Sequence, residues 1–366
     1  TPERATANGT LSLPAGRVTA SGFAALDGSE QFALESARLD SFDVAALAGD
    51  STGSRVTGTA RVEGRGFTPE TMRLDASLQL DHSHYGPYAL SALTTEVSLT
   101  EGQLRTSTDA TLNGGDWTLA LDGRPFARVP TFELRQGQFR RVDIGPFLQD
   151  TTQSSHLDGT VQGRVQGIEP ETMTVDAGLT LDSSRVNQQH IDAAALDLRL
   201  QAAQLDADLS LDTPDGGAQI SATARPFAEV PTFQLPDGTF TNLNVGTLAD
   251  LPGLTTALSG SLTAEGRGAT PSTLTLDAGL AFSASQINDA TLSSGDLSLT
   301  AEEGRATADG QISVAGGRVG LSGSADSLDT TPTYTARTQV DSLDAGALAG
   351  LDSLSARVDS LRWTLD

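Results

Sequence analysis

The chain has 366 residues, a formal net charge of −24 and no cysteine, and its 23 basic residues are all arginine. A field of that sign repels phosphate backbones, which argues against a nucleic-acid partner and against docking of this segment on an anionic membrane surface. The missing thiols exclude disulfides, thiolate nucleophiles and cysteine-based zinc sites.

Hydrophobic residues make up 37% and aromatics 5%, low for a large packed core, yet Leu, Val and Ala are placed too regularly for a disordered chain. The acidity reads either as solubility or salt adaptation or as a cation-collecting surface. No apolar run within this sequence approaches the roughly 18 residues that span a bilayer, which in a slice of a longer repeat array decides nothing about anchoring.

In chain order, the first residues belong late in a repeated unit. Gly16-Arg17-Val18 with Ser21-Gly22 resembles Gly317-Arg318-Val319 with Ser322-Gly323. The first helix candidate follows at 44–49, after Asp43; its counterparts follow Asp143, Asn244 and Asp344. Asp or Asn ahead of such a segment fits an N-cap, since either side chain accepts the backbone hydrogen bond.

Next comes a strand over 72–82. Met72, Leu74, Ala76, Leu78 and Leu80 alternate with polar residues, which gives one apolar and one wet face. Its second copy has Met173, Val175, Ala177, Leu179 and Leu181; its third has Leu274, Leu276, Ala278, Leu280 and Phe282. Later strands carry Val97 and Leu99, with Leu198, Leu200 and Leu299 in the same role. Trp117 and Leu119, Ile220, and Val319 and Leu321 follow the glycine pairs Gly114-Gly115, Gly216-Gly217 and Gly316-Gly317. A last strand opens at Phe132 and Phe233 after Val-Pro.

These 25 apolar residues are the candidate lining of a groove. The same pattern would equally serve a closed sheet core, because periodicity does not distinguish the two.

The period is almost free of drift. Pro69, Pro170 and Pro271 stand 101 residues apart, and the segments 126–132 and 227–233 match. One structural unit is therefore added repeatedly. The expected organisation is a partial repeat over 1–49, repeats over 50–149, 150–250 and 251–350, and the start of another over 351–366. The expected fold is all-β: an elongated repeat protein with a curled antiparallel sheet of about five strands and one short helix per repeat of roughly 101 residues. An apolar face several repeats long would mark an interaction site.

No residues carry an enzymatic reading, and no catalytic residue, cofactor or metal site is expected. G-x-S-x-G, H-E-x-x-H and phosphate-loop motifs are absent. His82 and His84 share a strand face by simple alternation, but a two-histidine pair lacks the further ligands a metal needs. Glu302-Glu303 beside Gly304 reads as a solvated turn.

The segments FDVAALAGD (42–50), GTARVEGRGFTPETMRLDASLQLDHS (58–83) and VPTFELRQGQFRRVDIGPFL (129–148) together resemble the repeats of the AsmA/TamB group of bacterial envelope proteins. Gly64-Arg65-Gly66 before Pro69 and Gly266-Arg267-Gly268 before Pro271 fit that pattern. The second copy, Val165-Gln166-Gly167 before Pro170, keeps one glycine. The resemblance implies a repeating β-groove of the bridge-like lipid-transfer kind. It implies anchoring in the inner membrane, extension through the periplasm, and movement of phospholipid toward the outer membrane with acyl chains in the groove. It further implies membrane contact through chain ends lying beyond this sequence and an outer-membrane barrel partner. Two other readings stand beside it: a structural or adhesive β-repeat with a closed core, and a scaffold for outer-membrane protein assembly that works through strand pairing.

Overall fold

The computed structural model describes residues 3–148, 154–187, 189–248, 253–288, 290–314, 316–328, 331–344 and 357–365. The segment after Asp344 that was expected to be helical lies outside them. The fold is all-β, and the chain divides into two compact units: Thr1–Glu169 with Thr174–Val186, and Pro170–Met173 with Asn187–Asp366.

The first unit runs β1 (Arg4–Leu13), β2 (Gly16–Ala25), β3 (Gln31–Phe42), helix α1 (Val44–Ala48), β4 (Ser54–Arg65), β5 (Arg73–Tyr85), β6 (Tyr88–Thr100), β7 (Gln103–Leu112), β8 (Gly115–Arg124), β9 (Thr131–Val142), helix α2 (Gly145–Leu148), β10 (Ser155–Gln166) and β11 (Thr174–Val186). Each strand pairs antiparallel with the one before it.

The second unit runs β12 (Gln189–Gln201), β13 (Gln204–Thr213), β14 (Gly216–Arg225), β15 (Thr232–Leu243), helix α3 (Val245–Leu248), β16 (Thr256–Arg267), β17 (Thr275–Phe282), β18 (Ser285–Ile287), β19 (Ala290–Glu302), β20 (Arg305–Val314), β21 (Gly317–Asp326), β22 (Thr333–Asp344) and β23 (Arg357–Leu365). Its pairings are likewise antiparallel. β17 and β18 are two halves of one strand, both paired to β16 and β19.

Six strands, β4–β9, separate α1 from α2, and six more, β10–β15, separate α2 from α3. The expectation of about five falls one short, and the strands read individually from the sequence included neither β4 nor β7; in β7 the alternation is weak. That strand presents Leu104, Thr106, Thr108, Ala110 and Leu112 to the apolar side, and threonine there blurs the alternation that identified its neighbours. Short turns leave room for the extra strand. β6–β7 and β19–β20 close through Glu101-Gly102 and Glu303-Gly304, with φ near +50° then +75° in both. Such doubly left-handed two-residue turns match strand twist. At β12–β13 the same turn is made by Ala202-Ala203, with φ of 51° and 61°.

A recurring serine staple bends each sheet. The Ser184 hydroxyl is fully buried; it accepts from the Asp158 N–H at 3.0 Å and lies 3.1 and 3.2 Å from the Asp158 and Asp182 carbonyls. Ser83 does the same for Thr57 and Asp81, and Ser285 for Ser259 and Ser283. Each staple satisfies backbone groups freed where the ladder slips, as between His156 and Gly159.

The helices are pinned the same way in all three copies. Asp43 is the N-cap of α1: its Oδ1 accepts from Ala46 N–H at 3.0 Å, Ser54 N–H at 3.1 Å and Ser54 Oγ at 2.9 Å. Asp143 accepts from Gly145 and Ser155, and Asn244 from Thr256. The Asp/Asn exchange is thus a capping exchange, with the following strand as second partner.

Candidate functional site

Within each unit, cross-strand register places the expected lining residues that lie on strands on one face. In the first unit a single rung reads Gly9–Ala20–Ala37–Ala60–Leu78–Thr95–Thr108–Leu119–Gly137, and Leu179 pairs with Val161 in β10–β11. The next rung toward the Pro69 loop carries Val62, Ala76, Val97, Thr106 and Leu121. In the second unit one rung spans ten strands and is apolar or glycine in nine of them: Leu196–Leu209–Ile220–Gly238–Leu262–Leu280–Leu297–Gly310–Leu321–Thr338.

Both ends of the strands close over this face. At the helix end Phe42, Ala45, Phe139 and Val142 are buried in the first unit, and Ala290, Leu292, Val314 and Val340 cluster in the second. Phe147 of α2 meets Tyr88 at the start of β6, ring centroids 5.5 Å apart, so α2 folds back across the ends of β7 and β8. At the loop end Leu99, Leu200 and Ala301 are buried, and Phe67 stacks on Phe32 at 5.7 Å. Met72, Met173 and Leu274 sit in the turns just ahead of β5, β11 and β17, on this loop wall rather than between the walls.

Between the walls the apolar residues stay half-exposed. Leu78, Ala76, Val97, Leu119, Ala177, Leu179, Ala278 and Leu280 are neither buried nor fully open. Leu209, Leu299 and Leu321 reach 37%, 40% and 37% exposure. A face covered by a second layer would bury such residues almost completely. Within each unit the geometry is therefore a trough: an apolar floor, a helix wall and a loop wall. The opposite face is charged, with Arg73, Asp75, Glu96 and Arg105 exposed.

The floor has structural needs of its own. Trp117 packs on Phe139 at 5.4 Å, and Phe240 meets Phe282 edge-on at 6.2 Å. Leu80, Phe139 and Phe240 lie against Gly58, Gly159 and Gly260 respectively, where the chain leaves no space for a side chain.

The histidines do not form a pair on one face. His82 has φ of 44° and is passed over by the register, which runs from Asp81–Ala92 to Ser83–Leu90. Among the described residues no three His, Asp or Glu side chains converge as a metal site, and no helix is long and apolar enough to cross a membrane.

No protein-family model matches the chain, no curated protein matches its sequence, and no solved structure matches its fold.

Sequence reasoning missed part of the floor and the aromatic part of the loop wall. Ala60, Val62, Leu196, Leu209, Leu262 and Leu297 are floor residues identifiable from the alternation in β4, β12, β13, β16 and β19. The wall residues Phe67, Phe126, Ile168 and Phe227 stand in irregular loops, where no alternation marks them.

One charged latch ties α1's loop to the sheet. Asp50 accepts from the Thr52 hydroxyl and N–H, and from the Tyr85 hydroxyl at 2.6 Å. The Thr52 hydroxyl, then Tyr85, hold its carboxyl down from 3.8 to about 2. The depressed value means the latch stabilises above the ordinary carboxylate pKa and is lost as pH falls through about 2. A carboxyl-carbon NMR titration is expected to give a midpoint near 2 for Asp50. Tyr85→Phe should raise that midpoint only part of the way to 3.8, because the Thr52 bonds remain. An unchanged midpoint in Tyr85→Phe contradicts the latch.

Proposed function

We propose that this chain is a segment of a hydrophobic track that conducts phospholipids between the inner and outer membranes, working in the periplasm as part of an inner-membrane-anchored protein of the AsmA/TamB type. The observation that carries the reading is the largely apolar floor left half-exposed within each unit between a helix wall and a loop wall. Acyl chains burying against it gain about 0.8 kcal/mol per methylene. Most floor side chains are leucine, alanine or valine and offer no hydrogen bond to arrest a headgroup, and the Thr95 and Thr108 hydroxyls bond each other at 3.1 Å, so a lipid on such a floor can slide. Uniformity along the rungs favours passage over tight binding, since a track without deep sites has no trap.

Mass spectrometry of organic extracts from the purified 366-residue chain, compared with a β-sandwich protein handled identically, tests the reading. The expected result is phospholipid at one or more molecules per chain. Extracts indistinguishable from the sandwich control, from folded protein, would reject the track and favour a structural repeat.

A further inference from the structure

The loop wall carries a pattern that the lipid track does not by itself require. Three strands end in arginine with a large apolar residue two positions on: Arg65 and Phe67, Arg124 and Phe126, Arg225 and Phe227. The aromatic tips are 66%, 50% and 48% exposed. Behind the wall, on the charged face, a cavity opens at each of these arginines. Their volumes are about 700 Å³ at Arg65 and Arg73, 330 Å³ at Arg124 and 720 Å³ at Arg225 and Arg267.

In a chain with 47 acidic residues against 23 basic ones, every arginine could have a carboxylate. Arg65, Arg124, Arg225 and Arg267 nevertheless make no ion pair among the described residues, whereas Arg73, Arg135 and Arg164 do, with Glu101, Asp122 and Glu133. The two larger cavities also hold acids in an unfavourable arrangement. Glu63 stands directly opposite Asp75, and Glu265 opposite Asp277, two residues along the strand from Arg65 and Arg267. Arg65 itself faces Arg73, while Arg225 and Arg267 flank Thr232. Like charges directly across a sheet repel. Here an arginine row and a carboxylate row lie side by side, two residues apart along the strand; Arg73 is paired outside the rows with Glu101, and Glu63, Asp75, Glu265 and Asp277 make no ion pair among the described residues. In the smaller cavity Arg164 occupies the position of Glu63 and Glu265, and Asp122 and Glu133 are already paired.

Resting on the lipid reading above, we infer that the two larger cavities bind the zwitterionic headgroup of an amine-bearing phospholipid. Its phosphate lies on Arg65 or on Arg225 and Arg267, and its ammonium on the Glu63–Asp75 or Glu265–Asp277 pair. The acyl chains pass over Phe67 or Phe227 onto the apolar floor. Two carbons separate phosphate from ammonium in an ethanolamine headgroup, which suits adjacent rows of opposite charge. An anionic glycerol headgroup would offer the carboxylates only neutral hydroxyl donors and no positive charge, and a neutral diacylglycerol would leave both rows as they are.

The test is displacement of a fluorescent lipid from the full chain by three competitors with identical acyl chains: an ethanolamine phospholipid, a glycerol-headgroup phospholipid and a diacylglycerol. The wild type should prefer the ethanolamine lipid by roughly tenfold. R65Q/R225Q/R267Q should reduce it to the diacylglycerol level, and E63Q/E265Q should erase its advantage over the glycerol lipid. Diacylglycerol binding should be unchanged in both variants, and because all five side chains are exposed both should fold. Equal affinity of the wild type for all three lipids overturns the headgroup site and leaves the track standing. A preference for the glycerol lipid overturns the ammonium half. Failure of all three to bind overturns the track and the headgroup site together.

Discussion

Replacing Leu78, Leu179 and Leu280 together with aspartate is expected to leave the chain folded while lowering bound phospholipid at least tenfold. The three leucines are equivalent positions in successive repeats, each on the half-exposed floor, paired with Ala60 and Thr95, with Val161, and with Leu262 and Leu297. A carboxylate there keeps contact with water, so the folding cost is mainly lost leucine contact, about 1 kcal/mol per site. The cost to a sliding acyl chain is larger, because the chain would have to pass methylenes over a hydrated charge. Two readouts separate the possibilities: the unfolding midpoint in denaturant, and lipid per chain by mass spectrometry. A variant that unfolds outright would mean that the floor is a closed core, where an unpaired charge costs several kcal/mol. A variant that keeps both its stability and its lipid would mean that the lipid lies elsewhere.

The apolar face was readable because β5, β11 and β17 alternate cleanly: Leu74, Ala76, Leu78 and Leu80 point one way with no interruption. The helix caps were readable for a similar reason, since Asp43, Asp143 and Asn244 precede short apolar segments at a constant spacing. What alternation could not supply is whether anything covers the face, for a sandwich core and an open trough ask for the same residues. It also failed where the ladder slips. Ser83, Ser184 and Ser285 look like ordinary wet-face residues, yet they are buried because a bulge turns them inward. His82 and His84 were placed on one face by counting, and the left-handed conformation at His82 breaks the count. The loop wall was invisible in another sense. Arg65 and Phe67 stand at a strand end and in its loop, where burial depends on how the loop lies over Phe32 rather than on any period.

The largest effect on stability is expected from the smallest change, Gly159→Ala. A β-carbon at Gly159 would stand 2.0 Å from the Thr180 carbonyl oxygen and 2.8 Å from the Phe139 ring; Gly58 and Gly260 have the same contact, at 2.1 Å from Gln79 O and 2.0 Å from Ala281 O. These obstacles are backbone, so the side chain cannot be accommodated by a rotamer change. Strand β10 must move away from β11, and the Ser184 staple beside the slip in register must move with it. Overpacking of this kind costs ~1–3 kcal/mol, and a backbone clash belongs at the upper end. By contrast, Gly163→Ala meets nothing closer than 3.5 Å on the same strand and should be close to neutral. Denaturant unfolding of the two variants side by side measures the difference, with far-ultraviolet circular dichroism as the common probe. A Gly159→Ala midpoint equal to that of Gly163→Ala would mean that β10 and β11 lie farther apart at this rung, with the Phe139 ring no longer pressed on a bare backbone. Because each repeat contacts mainly its neighbours, a strong local loss should leave distant strands protected. Amide exchange should therefore quicken in β9–β11 well before it does in β20–β22.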